Sequence, residues 1–171
     1  VNDAVIGETA AESEPRFEQV FISRPVQAER GDSFERCLYI IRKKTENAVR
    51  SLGLLQHSFF YITNLSSRVF IYKGLMLPGL IADFFTDLKD PLVKSAICLV
   101  HSRYSTNTFP TWDLAQPFRC LAHNGEINTL RGNLNWMKGR EGLFKSGVFG
   151  ADTAHLSPVI RDERQSDSAS I

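Results

Sequence analysis

The chain has 171 residues, 43% of them hydrophobic and 23% charged, an ordinary balance for one globular domain with a core of its own. With 20 basic and 19 acidic residues its net charge is +1, so there is no electrostatic case for a nucleic acid or an anionic membrane as partner. No apolar run nears the roughly 20 residues that span a bilayer, and the acidic, polar opening does not read as a signal peptide.

Residues 1–16 are acidic, small and unpatterned, and "EQVFIS" at 18–23 then predicts a short strand. A connector follows at 25–32. From Ser33 the apolar positions Phe34, Leu38, Ile41, Ala48, Val49 and Leu52 recur at helical spacing, with Asp32 or Ser33 placed to cap the start and Gly53 to end it. The aromatic and β-branched runs "FFYIT" (59–63) and "RVFIYKG" (68–74), joined by "NLSS", predict an antiparallel hairpin. A short helix is expected around "LIADFF", a strand at 95–103, a loop at 107–117 and a second strand at 118–125. A helix then begins near Asn128 or Thr129, with Leu130, Leu134 and Met137 on one face, and the segment from 146 is loop-rich with one helical turn. Hairpin-like connections and a strand-rich second half favour an α+β fold over a parallel doubly wound sheet.

Cys37, Cys98 and Cys120 cannot all pair, and two lie in apolar runs, so they read as buried, reduced thiols. The four histidines, at 57, 101, 123 and 155, are scattered without metal-ligand spacing. No nucleophile elbow, P-loop or dinucleotide fingerprint occurs. The chain opens at "VNDAVIGE" without an initiator Met and stops at "QSDSASI", so the expectation is an internal fragment of one domain covering 1–171.

Three polar clusters follow apolar runs, where loops carry functional groups. They are His101 to Thr106, His123 to Glu126, and Ser166 to Ser168. Arg103 has a fork suited to clamping a carboxylate, or is a surface arginine at a strand end. Asp167 can neutralise an ammonium group, cap a helix or close a turn. Asn124 and Gly125 offer an amide and an unobstructed backbone N–H as oxyanion donors, or form a hairpin turn.

The run "LVHSRYSTNTFPTWDLAQPFRCLAHNGEINTLRGNLNWMKGREGL" (99–143) resembles the glutaminase domain of the glutamate synthase family, and so do "IGETAAESEPRFEQVFI", "YITNLSSRVFIYKG" and "SDSAS". The resemblance spans nearly the whole chain. It implies a class II glutamine amidotransferase of the N-terminal-nucleophile type, with a four-layer α/β/β/α sandwich of antiparallel sheets, incomplete at both ends here. It further implies an enzyme that hydrolyses glutamine to glutamate and ammonia through an N-terminal cysteine thiol. Ammonia then passes to a synthase domain of the same polypeptide, bearing FMN and an iron–sulfur cluster, where 2-oxoglutarate becomes glutamate. An electron-donating small subunit or ferredoxin is the implied further partner, and the cytoplasm or a plastid the implied location.

Carried over residue by residue, Arg103 matches the group that holds the glutamine α-carboxylate, and Thr106 lines the same pocket. Asn124 and Gly125 match the oxyanion pair, and Asp167 the carboxylate for the α-ammonium. The nucleophile has no counterpart: the chain starts at Val1, and none of its cysteines carries a free α-amino group. The fragment alone is therefore expected to be inactive and poorly soluble, with no cofactor of its own. Two alternatives stand beside this reading: a non-catalytic glutamine-binding module, and another class II amidotransferase. For Phe109 and Trp112, lining a route for ammonia and packing the loop are both open.

Overall fold

The computed structural model describes residues 1–26, 31–55, 59–106, 108–124, 127, 129–160 and 165–170. It divides into two compact units. The first joins Val1–Gln19, Ile71–Ile127 and Gln165–Ala169, and the second joins Val20–Phe70, Asn128–Arg164 and Ser170–Ile171.

The second unit is built on α2 (Asp32–Ser51) and α4 (Leu130–Glu141). α2 forms where helical spacing predicts it and buries Phe34 and Leu38. Its N-cap is Gly31, with no side-chain cap, rather than Asp32 or Ser33. Those two are drawn into the helix, and Asp32 instead pairs with Arg68 at 2.9 Å. At the far end Gly53 sits at φ +63°, the left-handed conformation that ends a helix at little cost in glycine. Beyond Leu38 the buried face turns polar. Lys43 donates to the Pro158 carbonyl at 3.2 Å, Asn47 to those of His155 and Ser157, and Lys44 pairs with Asp152 at 2.9 Å. These contacts fasten the helical turn Gly150–Leu156 along α2. Ala48 and Leu52, expected on the apolar face, are exposed. α4 begins after Thr129 and buries Leu134, with Leu130 and Met137 partly covered on the same side.

The first unit gathers its core from short helical turns. α1 (Glu8–Ala11), the turn Pro78–Leu80, α3 (Ile81–Phe84) and the turn Thr86–Lys89 carry Ala10, Phe84 and Phe85 into an aromatic cluster with Phe17, Tyr72 and Trp112. The rings of this cluster meet mostly edge to face, with centroids 4.8–5.8 Å apart, the geometry their quadrupoles favour. Trp112 is 3% exposed, and its indole N–H donates to the Ala10 carbonyl at 3.0 Å. Its ring lies so close to Gly74 that a Cβ there would stand 2.5 Å from Trp112 Cζ3. α5 (Asp167–Ser170) is one turn, whose Ser166 hydroxyl accepts the Ala169 N–H at 3.1 Å.

The expected sandwich is not present, and this corrects the α+β, α/β/β/α reading. Among the described residues there is no sheet, and the one β-bridge is Phe118 to Leu121. The runs 18–23, 59–63, 68–74 and 95–103 form no ladder, and "FRCLAHNG" makes only that isolated bridge. The physical reason is that a strand is a property of two segments. Composition makes each run competent to pair, but a strand exists only against a partner of matching register. Among the described residues these runs find no such partner, and Val20, Phe21, Ile97 and Val100 face solvent. The cysteine reading fails with it: Cys37, Cys98 and Cys120 are all free and exposed, because the faces that would have covered Cys98 and Cys120 belong to sheets that do not form.

Candidate functional site

The three polar clusters, up to 66 positions apart in the chain, meet inside the first unit. The backbone N–H of Thr106 donates to the Asn124 carbonyl at 3.1 Å. Asp167 Oδ2 accepts the Ile127 N–H at 2.8 Å, and the buried Ser168 hydroxyl donates to the His123 carbonyl at 3.1 Å. Thr106, Asp167 and Ser168 thus bond to Asn124, Ile127 and His123 in turn.

Two local devices prepare this arrangement. His101 Nδ1 accepts the Arg103 N–H at 3.0 Å, which turns the backbone so that the Arg103 side chain stands in solvent. Among the described residues no carboxylate pairs with that guanidinium. The second device was not visible in the sequence. Gln116, 6% exposed, reaches across to His123: its Oε1 accepts the His123 N–H at 2.6 Å and its Nε2 donates to the His123 carbonyl. The side-chain amide thereby makes the two contacts that a paired strand would have made, and the Phe118–Leu121 bridge closes the loop between them.

Polar side chains are buried in the same unit. Tyr104 donates to the Gly74 carbonyl at 3.3 Å, and burial, with Asp113 nearby, pushes its hydroxyl up to about 12. Lys73 Nζ donates to the Asp113 carbonyl at 2.6 Å and lies 4.3 Å over the Phe118 ring. Ser105 is 4% exposed, and its hydroxyl finds no hydrogen-bond partner among the described residues.

Of the expected site residues, Thr106 and Asn124 are joined by a backbone hydrogen bond, Asp167 is bonded to Ile127 three positions beyond Asn124, and Arg103 stands three positions before Thr106. Gly125 and Glu126 lie outside the described residues, as do His57, Asn128 and part of the 25–32 connector. Trp112 packs the core, and Phe109 is 84% exposed. Among the described residues no three His, Cys, Asp or Glu side chains lie together as a metal would require. No helix among the described residues is long and apolar enough to cross a membrane.

The expectation of a glutaminase, and with it of an enzyme of the N-terminal-nucleophile type, is overturned by the same finding as the fold. Hydrolysis needs nucleophile and oxyanion donors held to within about 0.5 Å on rigid elements. Those elements were to be the two sheets, and a helical chain without a sheet does not supply them.

Across its full length, residues 1–171, the chain matches the family model described as glutamine amidotransferases class-II. It is 47% identical over 168 residues to the glutamate synthase [NADPH] large chain of Bacillus subtilis (strain 168), covering 98% of this chain and 11% of that protein. It is 42% identical over 170 residues to the chloroplastic ferredoxin-dependent glutamate synthase of Oryza sativa subsp. japonica, covering 99% of this chain and 10% of that one. Against the glutamate synthase [NADH] of Schizosaccharomyces pombe (strain 972 / ATCC 24843) the identity is 49% over 138 residues, 81% of this chain and 6% of the relative. The chain thus spans about a tenth or less of the length of these curated relatives. By the match of its whole length, the chain belongs to the class-II glutamine amidotransferase family.

Proposed function

We propose that this chain recognises free L-glutamine, binding it without turning it over, as a segment of a longer polypeptide related to the glutamate synthases. The observation that carries the reading is that Thr106 and Asp167, far apart in the chain, are hydrogen-bonded to Asn124 and to Ile127 just beyond it, while Arg103, close to Thr106 in the chain, is exposed. A zwitterionic amino acid calls for one cation and one anion at fixed separation. The guanidinium supplies a bidentate donor for the α-carboxylate, and the Asp167 carboxylate, with one oxygen engaged by Ile127, has the other available for the α-ammonium. The Asn124 side-chain amide can serve the side-chain carboxamide of the ligand. Binding by charge and hydrogen bonds tolerates looser positioning than hydrolysis does, so it is compatible with a site that has no sheet behind it.

In the whole polypeptide the partners we propose are a synthase domain and an electron donor, a small subunit or ferredoxin, with FMN and an iron–sulfur cluster held outside this segment. Isothermal titration of the chain with L-glutamine, D-glutamine and L-glutamate tests the reading. Millimolar or tighter binding of L-glutamine, lost in Arg103→Ala and Asp167→Asn, is the expected result. Equal heats for the two enantiomers, or none up to 10-fold above about 1 mM, a range spanning the weak end of specific binding, would refute it.

A further inference from the structure

The loop from Gln116 to His123 is closed by a side chain imitating a strand. Gln116 is almost fully buried, and its amide makes one accepting and one donating contact to the backbone of a single residue, His123. The His123 carbonyl is shared with the Ser168 hydroxyl, and the next residue, Asn124, accepts the Thr106 N–H. Ser168 contributes its hydroxyl to the His123 carbonyl, and Thr106 its backbone N–H to the Asn124 carbonyl. Gln116 gives a two-point contact, the kind that sets orientation as well as distance. The amide suits both jobs because it carries an acceptor oxygen and a donor nitrogen side by side.

We infer that Gln116 is the positioning residue of the glutamine site: its buried amide fixes the His123–Asn124 backbone, and so decides whether Asn124 is aimed at the ligand. This rests on the reading of the site as a glutamine binder. Gln116 itself touches no ligand.

Two substitutions in the full chain test it. Gln116→Met keeps the length and burial and removes both contacts. Gln116→Glu keeps the shape, and its chemistry depends on protonation. A neutral carboxyl accepts from the His123 N–H and donates its O–H to the carbonyl, as the amide does. A carboxylate can only accept, and it sets a negative oxygen against the carbonyl. Burial raises the pKa of such a group above the ordinary range for glutamate, which is about 4.3. Amide hydrogen exchange at His123 and Thr106, and L-glutamine affinity, are measured together from pH 4.5 to 8. His101, Arg103, Tyr104, His123 and Asp167, the titratable and charged groups described in these clusters, and Lys73 over Phe118 are common to all three proteins. The difference between profiles therefore isolates position 116.

The expected result is that Gln116→Met loses protection and about tenfold or more in affinity at every pH, the scale of one or two hydrogen bonds. Gln116→Glu approaches wild type at the acid end and falls towards the Met variant as pH rises. A residue that only filled space would show no such pH dependence. Wild-type affinity in Gln116→Met, or a flat profile in Gln116→Glu, overturns the inference while leaving the glutamine reading intact. A wild-type chain that binds no glutamine overturns the reading, and the role of Gln116 in it falls too.

Discussion

Gly74→Ala is the sharpest probe of how the first unit is packed. A Cβ at this position would stand 2.5 Å from Trp112 Cζ3, 2.6 Å from Met76 Cε and 2.8 Å from Trp112 Cε3. The Met76 methyl can swing aside, but the indole is a rigid plate. Restoring ordinary contact at about 3.6 Å requires the ring to withdraw by about 1 Å, and overpacking of this kind costs about 1–3 kcal/mol. The indole N–H sits 3.0 Å from the Ala10 carbonyl, so the same movement strains or breaks that hydrogen bond, adding about 0.5–1.5 kcal/mol. The expected loss is about 2–4 kcal/mol. The assay uses a Trp136→Phe background. Trp136 is 74% exposed, and its removal leaves Trp112 as the sole tryptophan. Urea unfolding is followed by Trp112 emission, where a slope of about 1–3 kcal/mol/M turns the loss into a midpoint lower by about 1–2 M. Gly79→Ala is the control, because a Cβ there meets nothing within 4 Å; it should move stability by less than about 0.5 kcal/mol. A Gly74→Ala chain within 0.5 kcal/mol of its parent, with unchanged emission, would refute the packing argument, since ~1 kcal/mol is the least that overpacking costs.

Glu35 ties α2 to the "NLSS" turn, accepting hydrogen bonds from the Ser66 hydroxyl at 2.7 Å and the Ser67 N–H at 2.8 Å. Burial works to raise its carboxyl, but the bonds from Ser67 and Ser66, with Arg68 nearby, outweigh it and hold the group below the usual glutamate range. A lowered carboxylate contributes stability above its unfolded pKa, about 4.3, and loses it as pH falls through the folded value. Glu35→Gln should therefore cost about 1 kcal/mol at pH 7 and progressively less as the carboxyl protonates in acid, and equal urea unfolding midpoints for the two proteins at pH 7 would count against this. Tyr72 and Tyr104 are both pushed up to about 12, Tyr72 by burial and then its 2.6 Å bond to Asp87. Being raised acids, they stabilise the fold below about pH 10 and cease to do so as pH climbs towards 12. Ultraviolet titration should resolve two tyrosines of the four ionising late, and four alike near pH 10 would contradict the burial. All three cysteines should react with Ellman's reagent in native buffer within the first fast phase; a thiol released only by denaturant would restore the buried reading.

Local structure was legible where the signal was local. The periodicity from Phe34 to Leu38, the terminating Gly53 and the face of Leu130, Leu134 and Met137 each involve residues within a turn or two of one another, and α2 and α4 follow them. The strands were misread because apolar alternation reports readiness to pair, whereas pairing itself depends on a second segment far away in the chain. Cys98 and Cys120 inherited that error. The site fell between these cases. Arg103, Thr106, Asn124 and Asp167 could be singled out as residue types, and the convergence of Thr106, Asn124 and Asp167 is seen only in three dimensions. Gln116 left no mark at all, because a glutamine in a loop is unremarked until its amide is found against His123.

By itself the sequence determined the family, the two longer helices and the residue types that a glutamine site would need. Only the tertiary structure decided that the strand-like runs stay unpaired, that Trp112 packs against Gly74, and that a buried amide does the work of a missing strand. The reason is one of range. Helices close their hydrogen bonds four residues away, while sheets, aromatic cores and sites are made by segments that meet only after the chain has folded.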